Sequence, residues 1–195
     1  MRRLGIAAAL VLAAVVALWI AALKLLPDAP ADRPRPVPAS TAAVAQLPGL
    51  LHVPVRGVAR SALRDSWGDA RAGGARAHHG LDIPAPAGTP VEAAAAGMVE
   101  KLFESHDGGT TVYVRSPDRR WSYYYAHLAG YAPGLAEGQA VQVGTPLGFV
   151  GDTGNAGAGN FHLHFGLSRT APDQHWAQGE EVDPFPYLVG RAPRR

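Results

Sequence analysis

Two histidines stand two positions apart in the apolar stretch FHLHFGL, residues 161–167. The alternation predicts a β-strand, in which side chains two apart lie on the same face. His162 and His164 therefore point to one locus, with Cα atoms roughly 6–7 Å apart. Leu163 points into the core, and Phe161 and Phe165 share its face. The residues alone leave three interpretations open: two metal ligands, one ligand beside one catalyst, or two solvated histidines on a polar strand face.

A second group of potential ligands lies in AHHGLD, residues 77–82. His78 and Asp82 are four positions apart, an even spacing that puts both on one side of an extended backbone. His79 has an odd spacing from Asp82 and is expected to face away, although Gly80 permits a local bend. Imidazole and carboxylate are good zinc ligands, and a catalytic zinc takes three protein ligands and keeps one position open. The chain has no cysteine, so any metal site must use His, Asp or Glu.

The aromatic run SYYYAHL, residues 122–128, adds His127 at the end of a predicted strand. Tyr124 and Tyr125 in this run are expected either to contact a substrate or to pack in the core. The remaining histidines outside these stretches are expected to be surface or structurally satisfied residues: His52, His106 and His175.

Short β-type runs separated by Gly, Pro and Asp occupy the chain from about residue 49. No segment shows a sustained helical period. We therefore expect residues 49–190 to form a mostly β domain of antiparallel sheets, with glycines at tight corners. The similar phrases AGTPVEA (87–93) and VGTPLGF (143–149) each indicate a chain re-entering a sheet after a turn, and they suggest a duplicated β unit.

The run from Leu4 to Leu23 contains twenty residues without a charge and follows two arginines. As a helix it would span roughly 30 Å, the hydrocarbon thickness of a bilayer. Residues 1–26 are therefore predicted to be an uncleaved signal anchor, a transmembrane helix with its N-terminus in the cytoplasm. A cleaved signal peptide is the alternative, and both export the rest of the chain. Residues 27–48 predict a Pro/Ala-rich linker and residues 191–195 a basic tail.

The net charge of +2 is unevenly distributed along the chain. Residues 49–190 carry 10 Lys and Arg against 14 Asp and Glu, so the predicted domain is mildly acidic. No basic stripe with interleaved aromatic residues is present, and binding to nucleic acid is not expected.

From about Trp67 to Tyr187 the chain resembles the zinc metallopeptidases of the M23, or lysostaphin/LytM, type, which act on bacterial cell-wall peptidoglycan. The resemblance rests on phrases that occur in the family's order: SWGDAR (66–71), HHGLDIPAPAGTPVEAAAAGMV (78–99), YYAHL (124–128), EGQAVQVGTPLGFVGDTGNA (137–156), HLHFGL (162–167) and DPFPYL (183–188). One departure is Phe161, where the family often has a proline just before the H-x-H motif. Asn155, before that motif, is expected to line the groove or to cap a turn.

The resemblance implies that His78, Asp82 and His164 bind one Zn²⁺ per chain, and that His127 and His162 are catalytic. It implies antiparallel sheets around a groove, in a duplicated hybrid-motif fold similar to the barrel-sandwich of biotinyl and lipoyl domains. The expected function is a membrane-anchored, exported zinc endopeptidase that cleaves peptide cross-links or stems of peptidoglycan. Its expected partners are peptidoglycan peptides and, through the N-terminal helix, the inner membrane.

Two other functions compete with this expectation. One is a non-catalytic LytM-type module that controls another cell-wall hydrolase, although such members usually lack some of the metal ligands. The other is a biotinyl or lipoyl carrier, which needs a lysine at a hairpin tip, whereas the chain has only Lys24 and Lys101. The scissile bond is also open between a D-Ala–diaminopimelate cross-link and a glycine bridge, and the Ala/Arg-rich composition favours the former.

Overall fold

The computed structural model describes residues 50–190, apart from the side chain of Ala72. The predicted signal anchor (1–26), the linker (27–48) and the basic tail (191–195) lie outside the described residues. Within residues 50–190, none of the helices has the length and apolar character needed to cross a membrane.

Short strands dominate this part of the chain, as the alternating runs predicted. Their bounds are β1 Ala70–Arg71, β2 Arg76–Ala77, β3 Leu81–Pro84, β4 Pro90–Glu92, β5 Gly97–Ser105, β6 Gly109–Arg115, β7 Trp121–Tyr131, β8 Ala140–Val141, β9 Pro146–Val150, β10 His162–Arg169 and β11 Glu180–Val182, followed by helix α1 Phe185–Val189. Three short 3-10 turns lie at Arg60–Ala62, Ala72–Gly74 and Gly154–Ala156. Every strand pair is antiparallel, which confirms the predicted mostly β, antiparallel fold.

The larger sheet has nine strands, and its path runs β11-β10-β7-β6-β5-β8. Strand β3 pairs with β10, and β9 joins β7 to β4, while β1 and β2 form a separate two-stranded hairpin. The two similar stretches AGTPVEA and VGTPLGF, each containing Gly-Thr-Pro, supply β4 and β9. These strands pair with each other at Val91 and Gly148. Each phrase therefore enters a sheet after a turn, as predicted.

Strand β10 lies between β3 and β7 and carries the H-x-H motif. His164 is in register with Asp82 on one side and with Ala126 on the other. The opposite face of the strand is buried in the core, where Leu163 and Phe165 are inaccessible to solvent. The prediction that Phe161 shares that buried face is wrong, because Phe161 precedes the strand and is 38% exposed.

Tyr125 is one of the largest fully buried side chains of the core. Its hydroxyl oxygen accepts the main-chain N–H of Ala94 at 2.9 Å, and burial raises the pKa of the phenol. Tyr125 is therefore a core residue, whereas its neighbour Tyr124 lines the cavity described below.

Replacing Tyr125 with phenylalanine is expected to lower the free energy of unfolding by about 1–3 kcal/mol, because the buried Ala94 N–H loses its acceptor. Urea denaturation followed by circular dichroism measures the change. The matched control is Tyr131→Phe, since the Tyr131 hydroxyl is exposed and makes a 3.3 Å bond to the Phe103 carbonyl. Equal losses in the two variants would contradict a special role for the buried bond.

Candidate metal centre and active site

Three ligand atoms from distant parts of the chain converge at one point. The distance from His78 Nε2 to His164 Nδ1 is 2.9 Å, from His78 Nε2 to Asp82 Oδ1 3.0 Å, and from His164 Nδ1 to Asp82 Oδ1 3.1 Å. Asp82 and His164 meet because β3 and β10 pair in register at these residues. His78 reaches them from residues 78–80, which precede β3 and are not part of a strand.

Two atoms of this cluster, His78 Nε2 and Asp82 Oδ1, present lone pairs to the same point. His78 Nδ1 lies 2.8 Å from the Ser66 carbonyl oxygen, which can only accept, so Nδ1 carries the proton and Nε2 presents a lone pair. Burial alone would raise the pKa of Asp82, but the imidazoles of His164 and His78 outweigh it and hold that pKa well below its usual range. The cluster therefore combines an ionised carboxylate with imidazole nitrogen atoms, an arrangement that favours a cation between them.

The spacing of the three atoms suits a zinc ion. Ligand bonds of about 2.0–2.1 Å in a tetrahedral site place neighbouring ligand atoms roughly 3.3 Å apart. The observed separations of 2.9–3.1 Å are a few tenths of an ångström shorter, so the atoms need only a small outward shift. Two imidazoles and one carboxylate are also a donor set found in catalytic zinc sites, and the side chains present fit this metal.

Asp82 is oriented by groups that the sequence analysis did not single out. Its Oδ2 atom accepts a hydrogen bond from Arg71 Nη2 at 2.5 Å, and its main-chain N–H donates to Ser66 Oγ at 3.1 Å. Partners of this kind fix the direction of a metal ligand. Both residues lie in the phrase SWGDAR, but its spacing gives no sign of these contacts.

Gly80 leaves the space that the His164 ring occupies. A Cβ atom at this position would lie 2.5 Å from Cε1 and 2.6 Å from Nε2 of His164. Heavy atoms do not approach that closely, so any side chain at Gly80 would displace the imidazole from the cluster. The glycine between His78 and Asp82 is therefore needed for His164 to join the cluster.

Two further imidazoles, those of His127 and His162, line the same cavity. Their ring centroids are 4.9 Å apart, and His162 Nε2 lies 3.8 Å from Asp82 Oδ1. Each Nδ1–H donates to a main-chain carbonyl at 2.8 Å, His127 to Thr153 and His162 to Asn160. Each ring therefore carries its lone pair on Nε2, the atom free to accept a proton.

The environment of His127 keeps its imidazole neutral. Burial, together with the nearby His162 and His164, lowers the pKa of His127 to about 4, against the opposing effect of the Thr153 hydrogen bond. The main chain at His127 has φ 62°, in the left-handed region that residues other than glycine seldom occupy. Backbone strain of this kind is concentrated at functional sites.

The cavity around these five histidine and aspartate residues has a volume of about 520 Å³. Asn155 lines it, the first of the two alternatives for this residue, and its Nδ2 donates to Asp107 Oδ1 at 3.4 Å, which is not a turn cap. Arg76 lines it as well. His79 turns away from the metal cluster, as its odd spacing predicted: its ring stacks on Trp67 at 5.3 Å and its Nδ1 bonds to Glu181 at the cavity rim.

The other sequence-based expectations concern residues outside this cavity. His52 is bonded to Glu92 at 2.9 Å, and the side chain of His106 is 97% exposed. Lys101 lies within β5 and pairs with Glu137 at 2.7 Å. None of these three residues contributes to the cavity.

Comparison with known proteins gives a family match over more than half of the chain. The model of Peptidase family M23 matches residues 76–184. The L-Ala--D-Glu endopeptidase of Bacillus subtilis is 38% identical over 131 residues, which are 64% of this chain and 39% of that protein. The peptidoglycan DD-endopeptidase ShyC of Vibrio cholerae is 34% identical over 90 residues, which are 46% of this chain and 20% of that protein.

A solved structure shows the same fold. The catalytic domain of the antimicrobial peptidase lysostaphin from Staphylococcus simulans aligns with a TM-score of 0.55 and 26% identity, covering 66% of this chain and 94% of that one. By contrast, the matched region is well under half of either full-length relative named above.

Proposed function

The chain belongs to peptidase family M23, and on that premise we propose that it is a zinc-dependent endopeptidase that cleaves peptides of bacterial cell-wall peptidoglycan. The observation that carries the proposal is the convergence of His78, Asp82 and His164 beside His127 and His162 in one cavity. The names of the relatives agree with it, since one is an L-Ala--D-Glu endopeptidase and the other a peptidoglycan DD-endopeptidase.

In this proposal His78, Asp82 and His164 hold one zinc ion, which supplies a Lewis acid for the scissile carbonyl and for water activation. The Ser66 carbonyl keeps Nε2 of His78 unprotonated and directed at the metal position. Arg71 holds the second oxygen of Asp82, so that the first oxygen remains with the cluster. These contacts make the ligand set rigid before a substrate arrives.

His127 is proposed as the general base, because its low pKa leaves Nε2 free to accept a proton from the attacking water. Its Nδ1–H bond to the Thr153 carbonyl steadies the resulting imidazolium, which then gives that proton to the leaving amine. His162 Nε2, 3.8 Å from Asp82, is placed to orient the attacking water by accepting a hydrogen bond. His127 thus carries one proton from nucleophile to leaving group, while His162 orients the nucleophile.

The charge of the cavity favours stem or cross-link peptides over glycine bridges as the substrate. Arg76 lines the cavity and forms no ion pair with any residue between 50 and 190. A guanidinium in this state attracts a carboxylate. Peptidoglycan stems carry free carboxylates, whereas a glycine bridge has none within it.

The alternative is a LytM-type regulatory module, which shares the fold and controls another hydrolase. In this chain all three metal ligands and both further histidines are present, which favours catalysis. The carrier function has less support, because Lys101 lies in the middle of a strand, where it is ion-paired, and not at a hairpin tip.

We further propose that residues 1–26 anchor the protein in the inner membrane and export the peptidase region, on the strength of the uncharged run from Leu4 to Leu23.

Purified protein loaded with zinc is expected to release peptide-containing fragments from cell-wall sacculi, and a zinc chelator is expected to stop the release. Mass spectrometry of the products from defined muropeptides identifies the bond that is cut. Absence of fragments, when a known endopeptidase digests the same sacculi, would contradict the proposal. A protein without bound metal after dialysis against trace zinc would favour the regulatory module.

A further inference from the structure

A second cavity of about 300 Å³ adjoins the metal-site cavity. The two share His79, Tyr124, His164 and Glu181 in their walls, so they form one continuous groove. The second cavity follows β10 away from His164, past Gly166, where the absence of a side chain keeps the floor open. A Cβ at Gly166 would lie 3.2 Å from Cδ1 of Tyr124.

Two hydroxyl groups lie side by side on the floor of this second cavity. Ser122 on β7 and Ser168 on β10 are direct register partners, and both line the cavity. Ser122 is only 4% exposed. Neither side chain has a hydrogen-bond partner among residues 50–190. Since the described residues contain no buried side-chain oxygen without a hydrogen-bond partner, the Ser122 hydroxyl is open to the cavity, where a ligand can bond to both groups.

The loop between β10 and β11 forms the opposite wall and is fixed by two arginines. Arg115, 1% exposed, donates to the Gln174 carbonyl at 3.3 Å, and Arg119 Nε donates to the Pro172 carbonyl at 2.6 Å. Both guanidiniums also pair with Glu100, at 2.5 and 2.9 Å. The loop is thus held by charged groups beneath it.

Trp176 is the aromatic residue that this loop presents to the cavity. Its ring packs on Tyr113 and Phe103, with centroid distances of 4.8 and 5.0 Å. The wall therefore exists before any ligand enters, and binding would not need to order it.

The charges around the second cavity differ from those around the metal site. Its lining, as far as the chain is described, contains no lysine or arginine, and Glu181 is its carboxylate, bonded to His79. A ligand carboxylate placed here would meet the negative charge of Glu181, with no lysine or arginine in the described lining to balance it. A carboxamide both donates and accepts, which matches a pair of hydroxyl groups.

We propose that this second cavity is a substrate subsite that binds a carboxamide-bearing residue of the peptide and disfavours a free carboxylate at the same position. The inference rests on the proposed peptidase function and adds the chemistry of one substrate position to it. His164 and Ser168 are four residues apart on one strand, a span of roughly 13 Å. The bound residue is therefore about two to four positions from the scissile bond in an extended peptide.

The test compares synthetic wall peptides that differ only in carboxamide or carboxylate, placed in turn at each position about two to four residues from the scissile bond. At one position, wild-type enzyme is expected to show a kcat/KM about tenfold higher for the carboxamide. The double variant Ser122→Ala, Ser168→Ala is expected to raise KM for that peptide about three- to tenfold with kcat unchanged. Glu181→Gln is expected to improve cleavage of the carboxylate peptide and so reduce the discrimination.

The matched control is Ser61→Ala, an exposed serine that lines neither cavity, and it should leave both constants unchanged. Circular dichroism melts of the serine variants confirm that the sheet is intact. If wild-type enzyme cleaves the peptides without discrimination, or if the double variant keeps its KM, the subsite is wrong and the peptidase function stands. If wild-type enzyme cleaves no peptide and no sacculi, the proposed function itself fails.

Discussion

Replacing His164 with alanine is expected to remove stoichiometric zinc binding and to reduce peptide hydrolysis by about 10³-fold or more. The substitution deletes one of three atoms that lie 2.9–3.1 Å from one another. A catalytic zinc site takes three protein ligands, so the remaining two are not expected to retain the ion. Loss of Lewis-acid stabilisation worth several kcal/mol corresponds to a rate loss of this size. Zinc content after gel filtration and hydrolysis of muropeptides are the two measurements.

The matched control for this experiment is His79→Ala. His79 directly follows the proposed ligand His78, but its ring stacks on Trp67 and bonds to Glu181 instead of joining the cluster. The control is expected to keep one zinc per chain, so a general effect of losing a histidine near the cavity is separated from ligand loss. Full zinc occupancy in a folded His164→Ala protein would overturn the proposed ligand set.

His127→Ala and His162→Ala are each expected to lower kcat by about 10²–10⁴-fold while the protein keeps one zinc per chain. Both side chains line the cavity, yet neither belongs to the three-residue cluster that could hold the metal. Measuring zinc content beside kcat therefore separates proton transfer from metal binding. If either variant lost its zinc, the histidine that it lacks would have to be reassigned as a metal ligand.

The strained backbone of His127 provides an internal check on this second experiment. At φ 62° a glycine is unstrained whereas an alanine is not. His127→Gly is therefore expected to be more stable than His127→Ala by about 1 kcal/mol, while both lack the imidazole and are equally slow. Equal stabilities would show that the left-handed conformation is not maintained in solution.

The strand elements and the shared face of His162 and His164 were predictable from sequence, because a strand's period of two fixes which side chains lie together. The same parity failed at Phe161, which lies one residue before the strand begins, where alternation no longer applies. The separate roles proposed for the two histidines come from the resemblance to M23 peptidases, since parity alone cannot distinguish a ligand from a base.

The groups that orient the site were beyond sequence reasoning for a physical reason. Ser66, Thr153 and Asn160 act on the histidines through main-chain carbonyls, which every residue possesses. Arg71 reaches Asp82 from the β1–β2 hairpin, and no local sequence pattern predicts where that hairpin lies relative to Asp82. The second cavity likewise depends on a loop held through carbonyl oxygens, so its side chains gave no signal in the sequence.

The placement of β10 between β3 and β7 bears on how such an enzyme is made. A shift of one residue in the pairing of β10 would turn Leu163 and Phe165 toward Asp82 and bury both histidines of the motif. A mispaired chain would lack ligand and catalyst together, and would be inert instead of partly active. The cluster of possible metal ligands is complete only when segments more than eighty residues apart, those of Asp82 and His164, have met. A nascent chain leaving the ribosome therefore has no complete site until the sheet that positions these residues has formed.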